Sequence, residues 1–169
     1  SKFITVLSFL LTFNVFALET VNYVEVERYM GNWYELAKYP NSFQKGCVKA
    51  QASYTLKKNG EVEVVNSCVK ENKKEKVARA RAWIVDELSN AKLKVQFFAK
   101  FFKLPIFAGD YWVIMLGDDY EYAVVSEPKK EYLWILSRTK TLDPLKLQYI
   151  LDSLKDKGFD LSKLVFEKY

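Results

Sequence analysis

From Trp33 onward, apolar and polar side chains alternate in short runs separated by turn residues, the pattern of an all-β chain. Trp33–Tyr39 lies between Gly31-Asn32 and Pro40-Asn41-Ser42. Val48–Leu56 and Val62–Cys68 are joined through Lys57-Lys58-Asn59-Gly60, and Val77–Val85 follows the charged stretch Lys70–Lys76. Leu93, Val95 and Phe97 alternate with Lys92, Lys94 and Gln96. Tyr111–Leu116, Tyr120–Ser126 and Tyr132–Ser137 are parted by Gly117-Asp118-Asp119 and by Glu127-Pro128-Lys129-Lys130. The period then changes. Asp143 stands as an N-cap before Pro144, Leu147, Ile150, Leu151 and Leu154 recur at helical spacing, and Gly158 closes the run. Leu164-Val165-Phe166 offers one short further strand. The pattern predicts an eight-stranded antiparallel up-and-down barrel with one C-terminal α-helix packed on its wall. Closure removes the exposed edges of an open sheet, and a barrel of this size has room for one small ligand.

Alternation also proposes an inner face. If Trp33 points inward, Glu35, Ala37 and Tyr39 share its side. The corresponding sets are Val62/Val64/Asn66, Ala80/Ala82/Ile84, Leu93/Val95/Phe97, Tyr111/Val113/Met115 and Tyr132/Trp134. Tyr111–Leu116 is apolar on both parities, so its register stays open. The small Ala80 and Ala82 imply space opposite them, since a filled core favours bulkier side chains. Aromatics with a few polar groups fit a pocket for a long apolar molecule with a polar end, or else these side chains pack the barrel shut. Asn66 brings an amide to an otherwise apolar face and needs a partner there. That partner is a ligand headgroup or water, or else Glu35 or a nearby tyrosine.

The first 17 residues read differently. Lys2, an apolar run and Val15-x-Ala17 have the form of a secretory signal cleaved after Ala17, leaving one domain over residues 18–169. An apolar first strand or anchor helix is the alternative. No Cys follows the proposed cut, so a soluble periplasmic or secreted protein is expected. Export would bring Cys47 and Cys68 into an oxidising compartment, where a disulfide is the default. They flank Asn59-Gly60, but a two-residue turn would set position 51 opposite 68. The bridge therefore requires a longer loop or a bulge, and free thiols or pairing between chains remain the alternatives.

Composition narrows the chemistry. The 169 residues include no His and two Cys, and aromatics make up 16%. Imidazole bases, His-ligated metals and four-ligand zinc sites are excluded, and no phosphate-binding glycine loop is present. No metal and no cofactor is expected. Lys and Arg total 26 against 21 Asp and Glu, giving a net charge of +5. The basic residues are interleaved with Glu on outward strand faces and no recognition helix accompanies them, so nucleic acid is not the expected partner. Attraction to anionic lipid headgroups accounts better for the charge. Phe97–Phe107 concentrates five Phe and two Lys in an expected hairpin near the barrel mouth. It would touch a lipid surface or a second copy of the chain, or fold inward as a cap. A monomer and a homodimer are both open.

Three segments together resemble the lipocalins. Gly31-Asn32-Trp33-Tyr34-Glu35-Leu36-Ala37 is similar to the family's G-x-W block. Gly117-Asp118-Asp119-Tyr120, running into Tyr122–Val125, is similar to the second block, usually T-D-Y. Trp134-Ile135-Leu136-Ser137-Arg138-Thr139 is similar to the third, with its signature Arg. The resemblance spans essentially the whole of 18–169 and is nearest to the bacterial outer-membrane and apolipoprotein D branches. Trp33–Ala37, Asn41–Cys47 and Tyr132–Thr139 carry most of it. It implies that Arg138 lies across Trp33 at the closed end, with Gly31, Asp119 and Tyr120 organising that end. It also implies that residues 40–46 form a lid with Phe43 at its tip. Two departures stand out: the N-terminal Cys that anchors bacterial relatives is missing, and Gly-Asp-Asp-Tyr replaces the Thr of the second block.

The resemblance implies a non-enzymatic carrier or store for a fatty acid, lysophospholipid or similar amphiphile. Its ligand would lie against Glu35, Tyr39, Phe43, Asn66, Ala80, Ala82, Val95, Phe97, Tyr111, Val113, Tyr132 and Trp134. Two alternatives follow from the family: an enzyme acting on a lipid or isoprenoid through Glu35 and tyrosines, and a tetrapyrrole binder, for which a linear bilin needs no axial His.

Overall fold

The computed structural model describes residues 17–98 and 108–169. After a single helical turn, α1 (Val26–Tyr29), the chain forms β1 (Gly31–Lys38), β2 (Cys47–Leu56), β3 (Val62–Lys70), β4 (Glu75–Ile84) and β5 (Lys92–Phe97). It continues through β6 (Gly109–Leu116), β7 (Tyr122–Ser126), β8 (Leu133–Ser137), α2 (Pro144–Asp156) and β9 (Val165–Phe166). Consecutive strands pair antiparallel from β2 to β8. β1 closes the circle by pairing with both β8 and β2, which makes the expected eight-stranded barrel. The predicted helix is present, and the Asp143 carboxylate caps it by accepting from the Leu145 and Lys146 amides.

β1 and β2 pair only from Gly31↔Tyr54 to Tyr34↔Gln51 and then diverge. β9 fills the gap, with Ala37↔Phe166 and Lys38↔Val165 as register partners. The Glu167 amide then donates to the Leu36 carbonyl at 2.9 Å. The short C-terminal strand is thus part of the barrel wall at one end.

Two cores result. One fills the barrel, with Trp33, Tyr54, Val62, Val64, Val113 and Val125 among its members. The other lies between the outer wall and α2, where Ile150 and Leu154 pack with Val124, Leu133 and Ile135. Two bulges decide which core receives several apolar residues. In β1 the register slips between Glu35 and Ala37, and in β6 between Val113 and Met115. An extra residue reverses the face of everything after it. Ala37, Tyr39 and Met115, expected on the inner face, therefore join the helix-side core. Tyr39 sits with its hydroxyl donating to the Asp160 carbonyl at 2.9 Å and its ring edge-on to Phe159.

Cys47 and Cys68 form a disulfide, with 5.6 Å between their Cα atoms. Both devices needed for it are present. The β2–β3 turn is longer than two residues, with the Lys57 amide donating to Glu61 and the Gly60 amide to Lys57, and Gly60 takes φ +84°. A β2 bulge between Cys47 and Lys49 then draws Cys47 toward Cys68. The bridge joins positions separated by 21 residues. Constraining a loop of that size in the unfolded chain is worth about 3 kcal/mol. Reduction, or Cys47→Ser with Cys68→Ser, is expected to lower the unfolding free energy by that amount, read from urea titrations of oxidised and reduced protein.

Candidate ligand-binding barrel interior

The closed end is built on Trp33, which is fully buried. The Arg138 guanidinium lies 3.7 Å from the centre of its ring. Arg138 also donates to the backbone carbonyls of Asn32 at 2.9 Å and Arg28 at 2.7 Å, tying α1 and β1 to the end of β8. A longer contact of 3.4 Å reaches the Tyr120 carbonyl. Gly31 takes φ +91°, and a Cβ there would stand 3.4 Å from the guanidinium, so glycine serves both the backbone and the close approach. The Tyr120 hydroxyl accepts from the Glu25 amide at 2.9 Å, while Asp119 is exposed in the β6–β7 turn. The residues that the motifs singled out therefore converge, with Asp119 at the periphery.

Next to this plug a cavity of about 30 Å³ is walled by Tyr29, Tyr54, Val62, Val64, Ala82 and Val95, with Tyr111 and Val113 opposite. The hydroxyls of Tyr29 and Tyr54 both meet that of Tyr111, at 2.8 and 2.9 Å. Burial pushes all three phenols above their ordinary pKa, Tyr54 to about 12, so all remain protonated. Ala80 belongs to the same barrel core from β4, paired with Phe97 of β5, but does not line the cavity. Asn66 is half-buried between Ala52 and Ala78 in the ladder. Its amide makes no hydrogen bond to a described residue.

The open end carries the loop expected as a lid. Residues Ser42–Gln44 form a short 3-10 turn that carries Phe43 across the mouth. Phe43 is 60% exposed yet lies 6.1 Å from both Phe97 and Tyr132, and Tyr132 stacks on Trp134 at 5.7 Å. Gln44 anchors the turn, donating to Glu35 at 2.6 Å and accepting from the Trp134 indole at 2.9 Å. Glu35 in turn lies 3.0 Å from the buried Lys38 ammonium, which also pairs with the buried Glu167. Most of Phe97–Phe107, the segment expected to meet a membrane or a second copy, lies outside the described residues.

Tyr29, Tyr54, Lys38, Gln44 and Glu167 were not anticipated from sequence. Tyr54 had a usable signal, because Ala50, Ala52 and Tyr54 alternate with polar residues on β2. Tyr29 belongs to a helix of one turn, too short to have a period.

The family model for the Lipocalin-like domain matches residues 24–168. The chain is a lipocalin. Over 151 residues it is 40% identical to temperature-induced lipocalin-1 of Arabidopsis thaliana, covering 87% of this chain and 80% of the relative. It is 36% identical to the outer membrane lipoprotein Blc of Vibrio cholerae, covering 89% and 85%. Mouse apolipoprotein D is 35% identical, covering 83% and 74%. The resemblance to the bacterial and apolipoprotein D branches is thus matched by both, and a plant relative joins them. Insecticyanin from the tobacco hornworm shares the fold, with a TM-score of 0.73 at 22% identity, covering 90% of this lipocalin and 84% of that chain. Small hydrophobic ligands are what the family binds. In this lipocalin the motif residues Gly31, Trp33, Tyr120 and Arg138 build the plug.

Proposed function

We propose that this lipocalin is an exported, non-enzymatic carrier or store for a single-chain amphiphile, a fatty acid, lysophospholipid or similar lipid. Residues 1–17 serve as its secretory signal and 18–169 as the working domain. The observation that carries the reading is the arrangement of the interior: one end plugged by Trp33 and Arg138, apolar walls, and a mouth crossed by Phe43. Such a chamber binds by withdrawing an apolar chain from water, at about 0.8 kcal/mol per CH₂. Glu35, Asn66, Phe97, Tyr132 and Trp134 lie where the polar end of a chain would emerge. Ala80, Ala82, Val95, Tyr111 and Val113 would line the chain itself. Two relatives, an outer membrane lipoprotein and an apolipoprotein, carry names that support an envelope or secreted location.

Native mass spectrometry, with extraction of lipid from protein purified from its own host, tests the proposal. Recovery of a stoichiometric amphiphile is the expected result. Absence of any lipid, together with no binding of a fluorescent fatty acid, would overturn it. If Phe43 is the lid, Phe43→Ala should raise the ligand dissociation rate several-fold in stopped-flow release. Its melting temperature should barely move, because an exposed ring contributes little to the core.

A further inference from the structure

β1 and β2 part after Tyr34↔Gln51, and residues 165–169 cover the slot left between them. Little apolar contact holds this strap. Val165 and Phe166 are 49% and 47% exposed, and β9 pairs with β1 through only two residues. The remaining ties are polar. The Glu167 amide donates to the Leu36 carbonyl at 2.9 Å, and the Tyr169 hydroxyl donates to the Ala50 carbonyl of β2 at 2.6 Å. The Glu167 carboxylate is drawn inside, onto the buried Lys38 ammonium. That ammonium already lies 3.0 Å from Glu35. Docking of the strap therefore sets two buried carboxylates against one cation, and Oε2 of Glu167 has no hydrogen-bond partner among the described residues. The other groups facing Glu35 cannot supply the missing charge. Gln44 of the lid turn donates a neutral amide at 2.6 Å, and Tyr54 of β2 and Tyr169 of the strap are phenols that burial keeps protonated.

We infer that residues 165–169 are a proton-coupled strap: with Glu35 protonated they close the slot between β1 and β2, and ionisation of Glu35 releases them. Release relieves the excess charge. Once Glu167 leaves for water, Lys38 and Glu35 remain as a balanced pair. With the strap docked, burial pushes the Glu35 carboxyl up to about 7, and Glu167 adds to that push. With the strap away, Glu35 keeps Lys38 to itself and gains water, so its pKa falls toward the ordinary value. The docked state thus holds a proton that the released state has lost, and docking weakens as pH rises through 7. Because Glu35 also anchors the lid turn through Gln44, the side slot and the mouth answer to the same carboxyl. The strap operates with or without a lipid in the barrel and does not rest on the carrier reading.

Exchange of the Glu167 amide, followed by NMR on the intact chain and corrected for the intrinsic effect of pH, reads the opening of the strap. In wild type its protection should fall about tenfold between pH 6 and pH 8, since one proton bound with a pKa of about 7 is released. It should also stay well below the protection of the β7 and β8 amides at each pH. Glu35→Gln should hold the change within about twofold. Glu167→Gln, which leaves Lys38 to Glu35, is the second variant should the first fail to fold, and its profile at the same amide should be flat too. Thermal melts check both. A flat wild-type profile, or a tenfold fall that persists in either variant, overturns the inference. So does protection at residue 167 equal to that of β7 and β8, because the segment would then leave only when the whole barrel unfolds.

Discussion

Replacing Arg138 with Ala should cost about 3–4 kcal/mol of stability, near 10 °C in melting temperature for a chain of this size. The guanidinium performs two tasks at once. Its face covers Trp33, a sheltered cation–π contact worth about 1–2 kcal/mol. Its edge donates to the carbonyls of Asn32 and Arg28, joining α1 and β1 to the end of β8. Arg138→Lys keeps the charge but loses the planar fork, so it should recover less than half of the loss. Urea titration of the three proteins separates these cases. Equal stability of Arg138→Ala and wild type would show that the plug does not depend on this residue. The ligand readout matters as well, because Trp33 also contacts Tyr29, at 5.1 Å between ring centres. Loosening the plug should therefore weaken any ligand that packs against Tyr29 more than one held at the mouth.

The legibility of this fold divides along physical lines. Strands such as β5, with one apolar and one polar face, could be read directly, and so could α2 with Asp143, Pro144 and Gly158 at its ends. Faces were misread where the chain inserts an extra residue. Leu36 and Ala37 in β1, and Ile114 and Met115 in β6, are adjacent apolar pairs that both enter the helix-side core. Alternation cannot anticipate this, because a bulge is invisible to a strict period of two. The apolar character of Tyr111–Leu116 on both parities was the one visible trace. The candidate site was legible where it depends on strand faces, as with Ala82, Val95, Tyr111 and Val113, all on the cavity wall. It was not legible where it depends on short or distant segments. Tyr29 reaches the cavity wall from a four-residue helix, and Glu167 reaches Glu35 and Lys38 from the far end of the chain.

That last cluster sets the expected pH dependence. Glu35 and Glu167 share one ammonium, that of Lys38, and all three side chains are buried, leaving one negative charge in excess. Burial pushes the Glu35 carboxyl up to about 7, against the pull of Lys38 and the Gln44 amide. Burial would lower the Lys38 pKa, but the two carboxylates outweigh it and hold the ammonium charged. In the unfolded chain Glu35 titrates near its ordinary value of 4.5. Between these two values the folded state therefore holds a proton that the unfolded state has released. The contribution of Glu35 is fully present below pH 4.5 and is lost as pH rises through 7. At about 1.4 kcal/mol per pKa unit, the span is about 3.5 kcal/mol. Glu35→Gln should flatten this slope, leaving Lys38 and Glu167 as a balanced pair. At pH 8–9 it should equal or exceed wild type in stability, by up to about 3 kcal/mol. Lys38→Met should do the opposite, stranding two buried carboxylates and costing about 3–5 kcal/mol at pH 8, with far less lost at pH 5, where protonation removes the excess charge. Urea titrations across pH 5–9 read all three proteins. Parallel curves for wild type and Glu35→Gln would remove Glu35 as the titrating group.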